Sequence, residues 1–108
     1  MATIDDLEKI EVRIGSVQSA ERVENTDKLI RLMVDFGEEE PRQIVSGVVE
    51  YVESPDELVG KQLAFVTNLE PRTICGVESN GMLFAVGKND TFAFLTPSRP
   101  VPPGTGAH

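Results

Sequence analysis

The sequence predicts a small all-β barrel with one short helix between its third and fourth strands, and three observations carry that prediction. Ile30, Leu32, Val34 and Phe36 alternate with Arg31, Met33 and Asp35, the two-residue period of a half-buried strand. Weaker segments of the same kind stand before and after it, near Val12, Gln43, Leu63 and Met82. Between the third and fourth of these strands, Ser54-Pro-Asp-Glu-Leu-Val-Gly60 is written in helix signals. Ser54 is the cap, Pro55 takes the first position, Glu57 completes a capping box and Gly60 stops the helix. At 108 residues, 40% hydrophobic and 26% charged, the chain has room for one domain, spanning 1–108, with a modest core. Three strands, a helix and further strands match a five-stranded Greek-key barrel of the OB type. An SH3-like barrel fits the same pattern.

Thr3 to Ile10 reads as an N-terminal helix, with Thr3 as N-cap and Asp5 and Asp6 in the first turn, where the helix dipole favours them. Ile4, Leu7 and Ile10 form an apolar stripe, and so short a helix must dock it on the core or on a second subunit. In the first strand Val12 and Ile14 alternate, then Val17 falls out of step after Gly15, which predicts a β-bulge at the glycine. Gly37 to Pro41 is an acidic turn whose Glu38-Glu-Glu40 run reads as solvated charge. The third strand runs from Gln43 to Val49 and is shortened or bent at Gly47. Leu63–Val66 and Met82–Val86 supply the next two strands. Phe92–Leu95 is a last strand, followed by an irregular tail rich in proline.

Eighteen acidic residues against ten basic give a net charge of −8, which opposes a polyanion unless the cations gather on one face. A single cysteine, Cys75, excludes an intrachain disulfide and an all-cysteine metal site. His108 is terminal and no nucleophile is paired with a base, so neither catalysis, a metal nor a cofactor is expected. No apolar run has the length of a membrane span and no secretory leader is visible. A cytoplasmic protein without membrane association is the expectation.

The segment from Asn68 to Met82 is too long and polar for a hairpin turn, and long connections of this kind are usually functional. It offers Arg72, whose guanidinium suits bidentate contact with phosphate and whose backbone is restricted by Pro71. The competing reading is a surface ion pair with Glu70 or Glu78. Aromatic platforms for sequence-tolerant single-strand binding are scarce, with no Trp, one Tyr and five Phe. That scarcity argues against a role in sequence-tolerant single-strand binding.

The pattern Asn68-Leu-x-Pro-Arg-x-x-x-Gly76-x-x-Ser79-x-Gly81-Met82 closely resembles the signature of the tRNA-binding domain of the EMAP-II and methionyl-tRNA-synthetase C-terminal type. Val12-Arg13-Ile14-Gly15-Ser16-Val17, Asp27-Lys28-Leu29, Val45-Ser46-Gly47-Val48, Pro55–Gly60 and Leu95-Thr96-Pro97-x-x-Pro100-Val101-Pro102 match in the same order. The resemblance selects the OB barrel and implies a non-catalytic, homodimeric tRNA-binding protein. It implies that 1–10 and 97–108 are dimerisation extensions. With the cationic residues, it gives the candidate contacts Lys28, Arg31, Arg42, Ser46, Asn68, Arg72, Ser79 and Met82. Lys28 draws on the Asp-Lys-Leu element, whereas Arg13 and Arg31 read equally well as solvated. Asn68 and Ser79 read equally as bonds within the loop, and Met82 as core. Arg22, Lys61, Lys88 and Arg99 are assigned no role. Glu70 stands where the family usually has lysine, and Thr73 and Cys75 where it has basic residues; all three weaken attraction to phosphate. CsaA-like secretion chaperones share the scaffold, so an unfolded peptide is the alternative partner. Docking on an aminoacyl-tRNA synthetase is a third possibility.

Overall fold

The computed structural model describes residues 1–108. One curled antiparallel sheet dominates, built from β1 (Val12–Arg22), β2 (Ile30–Asp35), β3 (Arg42–Ser46), β4 (Gln62–Val66) and β7 (Met82–Leu83). Its order is β3-β2-β1-β4-β7, with β10 (Gly106–Ala107) added on β1. Two small hairpins complete the β-structure: β5 (Arg72–Ile74) with β6 (Val77–Ser79), and β8 (Ala85–Val86) with β9 (Ala93–Phe94). The result is an all-β, OB-like barrel. No helix is long and apolar enough to cross a membrane.

The long first strand makes the barrel possible, because its two halves pair on opposite edges. Residues Val12 to Ser16 pair with β4, and Ser16 to Arg22 with β2. Ile30, Leu32 and Val34 point inward and join Val17, Phe36, Ile44, Leu58, Leu63 and Phe65 in the core. The bulge lies between Val17 and Ser19, not at Gly15. Gly15 keeps the phase: it is an inward position whose missing side chain leaves space for Val34 and the Phe36 ring. A sequence pattern that scores only apolar side chains reads such a position as a break.

Between β3 and β4 the predicted helix is a 3-10 turn, Pro55–Leu58, that buries Leu58 completely. Ser54 Oγ accepts from Asp56 N–H at 3.4 Å, while the Glu57 carboxylate reaches back to Glu53 N–H at 3.0 Å, so no capping box forms on Ser54. The N-terminal helix α1 (Ile4–Glu8) does have its box: Thr3 Oγ1 accepts from Asp6 N–H and Asp6 Oδ2 from Thr3 N–H. That bonding, with Lys9 at 3.6 Å, lowers the Asp6 pKa. The apolar stripe Ile4, Leu7 and Ile10 is 66%, 61% and 48% exposed, so it docks on nothing within this chain.

The C-terminal tail is ordered against the barrel rather than irregular. Gly104 N–H donates to Ile14 C=O at 2.7 Å and Ile14 N–H to Thr105 C=O at 2.8 Å, before β10 pairs with Val12 and Arg13. Gly104 is obligatory there: its φ is +91° and a Cβ would strike the Phe36 carbonyl.

Candidate nucleic-acid interface

The expected long loop after β4 folds on itself. Cys75 and Gly76 have φ of 49° and 80°, the two left-handed residues that a type I′ hairpin turn requires, and Arg72 to Ser79 become the hairpin β5–β6. Composition hid this, because cysteine is not among the residues that normally announce such a turn. Arg72 pairs directly with Ser79, so their side chains leave the same face. Ser79 is buried and locks the hairpin to β3, accepting from Val45 N–H at 2.9 Å and donating to Gly81 C=O at 3.0 Å. Asn80 N–H to Gln43 C=O (2.8 Å) and Gln43 Nε2 to Glu78 C=O (2.7 Å) add two more ties. On this braced platform Arg72 is exposed and joins none of the chain's ion pairs, so the pairing with Glu70 or Glu78 is not made.

The root of the same segment is held by a charge network over the Phe36 end of the barrel. Arg42 donates through Nε and Nη2 to the two Glu38 oxygens, both at 2.8 Å, and through Nη1 to Thr67 C=O at 2.6 Å. Arg13 donates to Glu38 at 3.1 Å and to Thr67 Oγ1 at 3.1 Å, and Thr67 Oγ1 donates to Glu11 at 2.6 Å. Both guanidiniums lie over the Phe36 ring, 5.2 and 5.5 Å from its centroid. Next in sequence, Asn68 accepts from Glu11 N–H (2.8 Å) and donates to Lys9 C=O (2.7 Å), clamping the chain between α1 and β1. Glu38 is therefore the hub of this network and not simply part of a solvated run. Its spacing four residues before Arg42 was the available signal.

Hydrogen bonds from Arg42, then from Arg13, lower the Glu38 pKa from 4.5 to about 2, against the opposing effect of burial. The same pairing raises the Arg42 pKa. A lowered carboxylate pKa contributes stability that is fully present above pH 4.5 and lost as pH falls toward 2. Glu38→Gln should therefore melt below wild type at pH 7, with the gap narrowing below pH 4.5 and nearly closed by about pH 2. Thermal melts at the two pH values check this, and a gap independent of pH would remove Glu38 from the acid response.

The other candidates lie apart in character. Lys28 is exposed beside Ser46: Ile30 pairs with Ser46, and Val49 N–H reaches Lys28 C=O at 3.5 Å. Arg31 pairs with Glu21 at 2.9 Å on the outer face of β1–β2. Met82 is 38% exposed rather than core, because its position opposite Val66 faces away from the barrel interior. Arg42, Asn68 and Ser79 are thus committed to internal bonds, whereas Lys28, Arg72 and Met82 present free surface. No group of three His, Cys, Asp or Glu side chains is arranged to hold a metal ion. The open groups are a guanidinium, an ammonium and a thioether.

A family model described as a tRNA binding domain matches residues 12–106. The methionine–tRNA ligase of Methanococcoides burtonii is 49% identical over 109 residues, covering 100% of this chain but 16% of that protein. The corresponding ligase of Thermotoga maritima is 47% identical over 102 residues, 94% of this chain and 16% of that protein. Among solved structures, a methionyl-tRNA-synthetase-related protein from Pyrococcus horikoshii superposes with a TM-score of 0.91 at 38% identity, covering 100% of this chain and 98% of its own. The chaperone CsaA of Bacillus anthracis gives 0.87 at 28% identity, covering 100% and 99%. The chain spans about a sixth of the length of the ligases it matches. It belongs to the tRNA-binding-domain family.

Proposed function

We propose that this chain recognises folded tRNA by binding alone, with Arg72 and Lys28 as phosphate contacts and Met82 as an apolar contact. The observation that carries the reading is the uncommitted guanidinium of Arg72 on a rigid hairpin, within a chain whose tRNA-binding family match runs from 12 to 106. Arg31 is a secondary contact, since it must first give up Glu21. Arg42, Asn68 and Ser79 act on RNA indirectly, by fixing the loop root and the hairpin, while Ser46 sits beside Lys28 with its hydroxyl open to a sugar or phosphate oxygen. A native gel shift with bulk tRNA at two salt concentrations tests the reading. Retardation at low salt that weakens at high salt supports it, and none at either overturns it.

The functional unit on this reading is a homodimer in the cytoplasm. The exposed stripe Ile4, Leu7 and Ile10 supplies the two-fold contact, which duplicates the RNA surface across the axis. Light scattering should return twice the 11.8 kDa chain mass, and removal of residues 1–10 should shift it to monomer or aggregate. A sharp monomer peak from the intact chain at micromolar concentration excludes the dimer.

One observation favours peptide as a second ligand class. Met82, Phe84 and Val86, alternate residues of the same strand run, are 38%, 43% and 43% exposed, and the similar CsaA structure is a chaperone's. Peptide held on such a surface would be insensitive to salt, in contrast to RNA.

A further inference from the structure

Four of the ten cations are spent on internal ion pairs: Lys9, Arg13, Arg31 and Arg42. Of the remaining six, Lys61 and Arg99 share one concavity. It measures about 520 Å³ and is lined by Lys61 and Arg99 with Ser16, Gln62, Thr96 and Ser98, backed by glycine and proline. No carboxylate lines it, in a chain where acids outnumber bases eighteen to ten. The contrast with the cleft beside the hairpin is sharp. That one measures about 630 Å³ and is lined by Glu38, Glu40 and Glu78, and its single cation, Arg42, is saturated by Glu38. A phosphate is repelled there and attracted at Lys61–Arg99.

The cleft is also built rather than incidental. Its floor is stitched by the Gln62 amide, which donates to Ser16 Oγ (3.1 Å) and Val101 C=O (2.7 Å) and accepts from Val101 N–H (3.0 Å). Lys61 is fixed at its backbone by Val17 N–H (2.9 Å) and by its own bond to Leu58 C=O (3.1 Å). Pro97 and Pro100 bracket Ser98 and Arg99, restricting the other wall. Asp35, which the register sets opposite Ser16, has Oδ1 engaged by Gly37 N–H at 2.7 Å. Fixed walls reduce the ordering that a bound anion must impose.

We propose that the Lys61–Arg99 cleft is a second anion site, taking a backbone phosphate of the RNA with the Ser98, Thr96 and Ser16 hydroxyls as supporting donors. This assignment rests on the RNA-binding reading above. The cleft lies at the Gln62 end of β4 and the Arg72 segment leaves from the Val66 end, about 13 Å along the strand at ~3.3 Å per residue. The two sites give the RNA backbone separate footholds, which fixes orientation as well as affinity.

The test is tRNA binding across a salt series by wild type, Lys61→Ala, Arg99→Ala, Arg72→Ala and Lys88→Ala, each shown folded by its thermal melt. Lys61→Ala and Arg99→Ala should each weaken binding and reduce the salt slope by about one unit, while Lys88→Ala, an equal loss of charge at an unassigned site, leaves the slope at the wild-type value. If Arg72→Ala lowers the slope but Lys61→Ala and Arg99→Ala match Lys88→Ala, the second site is overturned and the RNA reading stands. If wild type shows no salt-dependent binding, both fall.

Discussion

Gly15→Ala lowers the melting temperature by about 10 °C, the response of a domain this size to about 2 kcal/mol of overpacking. Glycine-to-alanine changes inside strands normally stabilise, because they remove conformational freedom from the unfolded chain. Here the new methyl group would sit 2.6 Å from Phe36 Cε1 and would also strike Val34. Neither neighbour can yield. Val34 is wholly buried in β2. Phe36 is wedged edge-on against Phe65, with ring centroids 5.5 Å apart, and roofed by the Arg13 and Arg42 guanidiniums. The strain would therefore pass into the network that holds Thr67. Gly106→Ala, whose added carbon meets nothing within 4 Å, is the matched control and should change stability by less than about 0.5 kcal/mol. Paired thermal melts decide the matter, and equal melting temperatures would show that the barrel repacks around position 15 freely.

The fold was legible in the sequence because its core depends on periodicity, and the Ile30–Phe36 alternation needs no tertiary context to be read. What escaped depends on space and partners. Gly15 looked like a bulge because an inward glycine and a phase break give the same apolar pattern, and only the position of Phe36 separates them. The tail looked irregular because its ties to Ile14 are backbone bonds, which any residues can make. The site divided in the same way. Arg72 was visible as a lone guanidinium in a distinctive segment, and the hairpin leaves it exposed. Arg42 looked equally available until Glu38 and Thr67 came within reach through the β2–β3 turn and the end of β4. Lys61 and Arg99 are 38 positions apart, and only closure of the tail on β1 brings them to one cleft.

Arg72→Ala and Glu70→Lys should move tRNA affinity in opposite directions. Arg72 is exposed, free of ion pairs and fixed through the β5–β6 pairing, so a phosphate contact there requires no internal bond to break. Its loss should weaken binding about tenfold, the factor supplied by about 1.4 kcal/mol, which suits one charge-assisted hydrogen bond. The salt slope should become shallower by about one unit. Glu70 is exposed two residues away and makes no ion pair, so its charge opposes an approaching phosphate without serving the fold. Glu70→Lys removes that repulsion and adds a cation, which should tighten binding at low salt and steepen the slope. Both substitutions lie outside the core, so melting temperatures should stay near wild type. Affinities ordered Glu70→Lys, wild type, Arg72→Ala, converging as salt rises, place a phosphate contact on this hairpin. Three affinities that are negligible at every salt concentration would instead leave the Met82–Phe84–Val86 surface, and a peptide, as the ligand site to pursue.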